Sequence, residues 1–162
     1  MKILKKNKYQ FEWRSGNRFD LLVDGEQFYP SMLRAILNAK KFVWLEMYLF
    51  ESGEVATKFI NAFISTADRG LPVCLHLDDF GSYGLNRQDR SRLVHENIHV
   101  IYYNRLKLGK WLGNIARDHR KLVLVDGDVA FVGGAGITDE FAPAARMDKR
   151  WRETMLQISG PV

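Results

Sequence analysis

His119 and Lys121 stand two residues apart in the stretch Arg117-Asp-His-Arg-Lys-Leu-Val-Leu-Val-Asp126. On an extended backbone, side chains two apart point to the same side. The imidazole and the ammonium therefore face one spot, with Arg117 on the same parity if the extension begins that early. A nucleophile or proton carrier beside fixed positive charge suits chemistry on a phosphate group. The run Gly133-Gly134-Ala-Gly136 follows shortly. Without a Cβ, Gly133 and Gly134 let the backbone approach a phosphate closely.

Several acidic residues accompany this pair. Glu46 interrupts the apolar run Phe42-Val-Trp-Leu-Glu-Met-Tyr-Leu-Phe50, where an unpaired buried carboxylate would cost several kcal/mol. It must sit at an exposed strand end or pair with a cation, and Lys121 is a candidate partner. Asp78 and Asp79 precede Gly81, which points to capping or turn formation. Asp126 precedes Gly127 and has the opposite parity from His119 and Lys121, so its expected work is structural, bonding backbone amides at a turn. Glu153 reads equally well as a solvated edge-strand glutamate and as a partner for a charged site.

The composition bounds the function classes. The 162 residues carry 24 Lys plus Arg against 19 Asp plus Glu, for a net charge of +5. That excess favours an anionic partner: a lipid headgroup, a nucleic acid or a phosphorylated small molecule. Cys74 is the only cysteine, so an internal disulfide is excluded and the residue reads as a small core hydrophobe. His95 and His99 are four apart, but a strand-like pattern begins at Ile98 and breaks the shared helical face, so no metal ligand set is assigned. No Walker loop or dinucleotide fingerprint occurs, and no cofactor is expected.

The elements that must position these residues follow from periodicity. Strands are expected at 19–23, 42–50, 73–77, 98–103 and 154–158, with a hairpin pairing 122–125 and 129–132 about Asp126-Gly127-Asp128. Helices are expected at 29–40, 55–67 and around 86–96. Strands alternating with helices in the first hundred residues imply an α/β fold: a mixed, mostly parallel sheet flanked by helices on both faces. The length suits one domain over 1–162, with residues 1–10 as a basic N-terminal segment.

The pattern His119-x-Lys121-x4-Asp126 followed by Gly133-Gly134 resembles the HKD motif of the phospholipase D superfamily. The segments 42–50, Leu77-Asp-Asp-Phe-Gly-Ser82 and Trp151-Arg-Glu-Thr154 are similar, in order and spacing, to those of bacterial cardiolipin synthases. The resemblance covers roughly residues 11 to 162. It implies that His119 attacks phosphorus and forms a phosphohistidine, that Lys121 holds the non-bridging oxygens, and that Glu153 orients the imidazole. It implies a phosphodiester transferase or hydrolase that needs no metal, passing phosphatidyl groups between phospholipids. One departure stands out: many members carry Asn where this chain has Gly136.

Family chemistry takes two HKD motifs, the second histidine protonating the leaving alcohol. None of His76, His95 or His99 has Lys at the +2 position. The expected partner is a second HKD half, in a longer chain or in a homodimer. Anionic phospholipid is the expected substrate. The basic amphipathic stretch from Leu106 to Arg117 is a candidate contact with a membrane surface. With no signal-like h-region and no spanning run, the expected location is the cytoplasmic side, peripheral to the membrane. A nuclease of the same superfamily and a non-catalytic anion-binding half-domain are the competing readings.

Overall fold

A computed structural model describes residues 12–105, 115–142 and 150–162. Strand β1 (Arg18–Val23) leads into α1 (Asp24–Leu37), followed by β2 (Val43–Met47), α2 (Glu54–Asp68), β3 (Val73–Asp78), the short α3 (Arg87–Arg92) and β4 (Ile98–Tyr103). Strands β5 (Lys121–Val125), β6 (Val129–Gly133) and β7 (Thr154–Ser159) complete the described elements, with a 3-10 turn at Asp139–Phe141. The strands form one seven-stranded sheet in the order β1-β7-β6-β5-β2-β3-β4.

The sheet is mixed, as the alternation of elements implied, but its balance differs from the expectation. Only β2–β3 and β3–β4 are parallel; the other four pairings are antiparallel. The βαβ pattern of the first hundred residues accounts for the parallel part. The hairpin β5–β6 then continues as a meander into β7, and β1 pairs at its far edge, which periodicity alone does not show.

The helices also depart from the expected arrangement on both faces. Among the described residues, α1 and α2 pack against each other over one face, with Phe28, Met32, Ile36, Phe59 and Phe63 meeting Val43, Leu45, Leu75, Leu77 and Val123 in one core. The three connections β1-α1-β2, β2-α2-β3 and β3-α3-β4 all run the same way along the sheet. A common right hand therefore puts their helices on the same side. On the opposite face, Trp44, Ile101 and Val132 are 42%, 52% and 42% exposed.

Helix boundaries reflect long-range partners. Helix α1 begins five residues before the expected start, because Asp24 and Gly25 turn the chain directly into it and the Gln27 side chain accepts the Val23 N–H at 2.9 Å. Pro30 lies inside it, so propensity would have started the helix later. Helix α2 is capped from a distance: the Asp139 carboxylate accepts from the N–H groups of Glu54 at 3.0 Å and Val55 at 2.8 Å. Negative charge at that end also complements the helix dipole.

Asp126 has φ +59 and its carboxylate accepts from the N–H groups of Lys40, Lys41 and Phe42 at 2.8, 2.7 and 3.0 Å. It thus bonds backbone amides, as its parity implied, yet those amides belong to the approach to β2 rather than to its own hairpin. Burial would push this carboxyl up, but the three amides and Lys41 outweigh it and hold Asp126 below its ordinary value of 3.8. A depressed native pKa adds stability that is complete above the unfolded value and is lost as pH falls through the native one. Replacing Asp126→Ala should therefore cost about 2–3 kcal/mol near neutral pH, read from urea unfolding. The difference from wild type should shrink as the pH drops below the ordinary carboxylate value.

Candidate active site

The antiparallel pairing of β5 with β2 decides where the site lies. Lys121 pairs with Met47 at the carboxyl end of β2, so the chain just before it sits beyond the ends of the parallel strands. Ligand sites of open α/β sheets lie in this position. The segment carrying His119 is then fixed from below by Asp78, at the end of β3 and only 1% exposed. One Asp78 oxygen accepts from the N–H groups of Phe80 and Gly81, both at 3.0 Å, and faces the Arg117 guanidinium at 3.4 Å. The other accepts from the Asp118 N–H at 3.0 Å. Arg117 also donates to the Asn104 carbonyl at 3.0 Å, tying the same segment to the end of β4.

Lys121 and His119 meet as their spacing implied. The Lys121 Nζ lies 2.8 Å from Nδ1 and 3.3 Å from Nε2 of the imidazole, and donates to the His119 carbonyl at 2.9 Å. The lysine is 8% exposed while the imidazole is exposed. Tyr48, which sequence reasoning did not single out, completes the group: its ring centroid is 4.4 Å from that of His119 and 5.2 Å from the Lys121 Nζ. Burial pulls the Lys121 ammonium below the ordinary lysine value, and the Glu153 charge opposes that shift.

Glu153 stands just before β7, beside Gly134. The direction of a Cβ on Gly134 is filled by the Glu153 carboxylate, so a larger residue there would push the end of that side chain aside. Its Oε1 accepts from the Thr154 N–H at 2.8 Å. Its charge acts on Lys121 rather than through a hydrogen bond to His119, whose described partners are Lys121 and Tyr48. Asp24, in a left-handed conformation at φ +61, holds the Glu153 backbone: its N–H donates to the Glu153 carbonyl at 2.8 Å, and its carboxylate receives Arg152 Nε, also at 2.8 Å. Gly133 closes β6 against Met155 of β7.

Glu46 does not pair with Lys121. Because Met47 and Lys121 are register partners, Glu46 points to the opposite face of the sheet. It receives Arg120 at 3.0 Å instead. His76, its neighbour on β3, lies 3.4 Å from Asp118, and ligand atoms of Glu46, His76 and Asp118 fall within 4.8 Å of one another. Arg120, 3.7 Å from Asp118, supplies the cation of this group. Only the strand register brings these residues together, so spacing along the chain carries no sign of them. Most of the stretch Leu106 to Arg117, and the N-terminal segment 1–10, lie outside the described residues.

Gly136, the departure from the motif's expected Asn, has a local cause. A Cβ at Gly136 would stand 2.7 Å from the Leu49 Cβ and 2.8 Å from its carbonyl oxygen. The same segment is stitched across this gap, Ile137 donating to the Leu49 carbonyl at 2.8 Å and Tyr29 Oη to the Gly136 carbonyl at 2.7 Å.

The profile described as "Cardiolipin synthase, PLD-like domain" matches residues 32–160. Cardiolipin synthase B of Salmonella typhimurium is 34% identical over 157 residues, 93% of this chain and 37% of the relative. Cardiolipin synthase 1 of Bacillus cereus is 32% identical over 142 residues, 86% of this chain and 28% of the relative. The backbone is similar to NucT from Helicobacter pylori (TM-score 0.69, 21% identity, 90% and 87% of the two chains covered). It is also similar to Nuc of Salmonella typhimurium, a phospholipase D family member (TM-score 0.64, 18% identity, 90% and 86% covered). Fold and site geometry thus define a phospholipase D-like α/β chain. Within that superfamily it belongs to the cardiolipin synthase PLD-like domain family, and it spans about a third of the length of the curated relatives it matches.

Placing the motif's expected Asn at position 136 should be harmful. Gly136→Asn should destabilise the fold by about 1–3 kcal/mol through overpacking against Leu49, seen as a lower urea midpoint with an unchanged slope. A variant as stable as the parent would show that Leu49 yields freely.

Proposed function

We propose that this chain supplies the nucleophilic half of a phosphatidyl transferase, with His119 taking up the phosphatidyl group. The observation that carries this is the exposed imidazole of His119 beside the buried Lys121 ammonium, 2.8 Å from Nδ1. An imidazole nitrogen attacks phosphorus, and the bond from phosphorus to the headgroup alcohol breaks, the alcohol leaving with a proton. A second alcohol then attacks the phosphohistidine, gives up its proton and releases His119. With phosphatidylglycerol as both donor and acceptor, the products are cardiolipin and glycerol.

Lys121 stabilises the charge on the non-bridging oxygens in both steps. Glu153 keeps negative charge in the site as the imidazole passes through cationic forms, and Gly134 keeps the backbone close. The general acid comes from a second HKD half, in the same polypeptide or in a homodimer partner. The substrate is an anionic phospholipid, reached from a peripheral position on the cytoplasmic side of the membrane. Among the described residues no helix is long and apolar enough to cross a membrane. The similarity to cardiolipin synthases over 86–93% of the chain supports phospholipid ahead of nucleic acid.

The protein carrying this chain with its second half should convert phosphatidylglycerol vesicles to cardiolipin in the presence of EDTA. His119→Ala should lower turnover by at least about a thousandfold, the scale of losing a covalent nucleophile. Cleavage of labelled DNA or RNA without lipid turnover would assign the site to nucleic acid instead. Retention of cardiolipin synthesis in the alanine variant would remove His119 from the mechanism.

A further inference from the structure

Beside the imidazole lies a cavity of about 450 Å3 lined by Tyr48, Leu49, Phe80 and Tyr83, with Gly81 and Gly84 among its lining residues. Tyr48 belongs to both places: it lines the cavity, and its ring centroid lies 4.4 Å from that of His119. The cavity therefore lies one side chain away from the His119 imidazole, across Tyr48. Phe80 and Tyr83 are 56% and 83% exposed, so large aromatic surface is held in water at this rim. The loop is set firmly against β2's exit, with Gly81 pressed on the Tyr48 carbonyl, Phe50 donating to the Gly81 carbonyl at 3.4 Å, and Ser52 to that of Gly84 at 3.2 Å.

Its chemistry contrasts with that of the phosphate spot. Among the described residues no lysine or arginine lines it, and Glu51, the charged residue among them, accepts from the Thr138 hydroxyl at 3.1 Å. A nucleic acid strand would bring a second phosphate within one nucleotide of the first, and the Glu51 carboxylate in this lining would repel it. An uncharged hydrocarbon arm next to a single phosphodiester gains from burial there.

Resting on the reading of His119 as the phosphorus-binding residue, we infer that this cavity is the subsite for the apolar arm of the substrate. It takes the first carbons of an acyl chain, while the headgroup lies on the opposite side of the imidazole. Phe80 and Tyr83 are its specificity-determining residues. They touch the chain rather than the reacting atoms.

Calorimetric titration of the chain with butyl, hexyl and octyl phosphate, each below its micellar concentration, tests this. A fully buried methylene strengthens binding about fourfold. Affinity should therefore rise roughly two- to fourfold per added methylene. The double variant Phe80→Ala/Tyr83→Ala should flatten that rise while leaving affinity for inorganic phosphate unchanged, and circular dichroism confirms that it folds. Equal affinity for butyl and octyl phosphate, or an unaltered rise in the double variant, would overturn the subsite. So would thymidine monophosphate binding as tightly as octyl phosphate and losing that affinity in the double variant, which would make the aromatics a base-stacking platform. A chain-length rise that survives in a protein whose His119→Ala variant still turns over lipid would leave the cavity in place and remove the reading of His119.

Discussion

The buried carboxylate of Asp78 is the interaction on which the site depends. It sits at the end of β3 and gathers the N–H groups of Phe80, Gly81 and Asp118 together with the guanidinium of Arg117. A carboxylate removed from water costs several kcal/mol unless its lone pairs are filled, and here charge-assisted bonds fill them. The consequence is positional. Two turns far apart along the chain, at Phe80–Gly81 and Arg117–Asp118, are held to one anchor. One of them carries the aromatic rim at Phe80, and the other delivers His119. The His119 imidazole can then be exposed without being loose.

The sheet supplies the remaining constraint. Because β5 runs antiparallel to β2, its first residue lies where the parallel strands end, and Lys121 enters the covered face beside the core. Parity then sorts the charges. Lys121 shares a face with Met47 and meets His119, whereas Glu46 and Arg120 meet on the other face. Asp126 closes the far end of β5 by binding the amides that lead into β2, so the approach to this strand is fixed by the buried Asp78 and its far end by the half-buried Asp126. A basic site next to a carboxylate-rich framework keeps its cations in place without neutralising the one that faces the imidazole.

Much of this was legible in the chain itself. The two-residue spacing of His119 and Lys121 becomes a shared contact because β5 is extended, and Asp126 proves structural because its parity is opposite. The hairpin and the alternation of strands and helices appear with small shifts in boundary. What was not legible depends on register and on distant partners. The Glu46–Arg120 pair, the role of Tyr48 and the cap that Asp139 provides for α2 all join residues more than seventy positions apart or on different strands. The helices share one face because three crossovers run the same way along the sheet, a property of strand order that periodicity does not contain. Gly136 reads as a departure in one dimension and as a tight contact with Leu49 in three.

The central claim is a covalent bond between an imidazole nitrogen at position 119 and the phosphorus of the substrate. Rapid quenching of the protein that carries this chain, with the second half proposed for it, during turnover of a short-chain phosphatidylglycerol, followed by proteolysis at alkaline pH and mass spectrometry, reads it directly. A phosphatidyl-sized mass increment should appear on the peptide containing His119, formed within the first turnover and discharged when an alcohol is added. An increment found only on a different residue, or turnover with no adduct at any quench time, would contradict it.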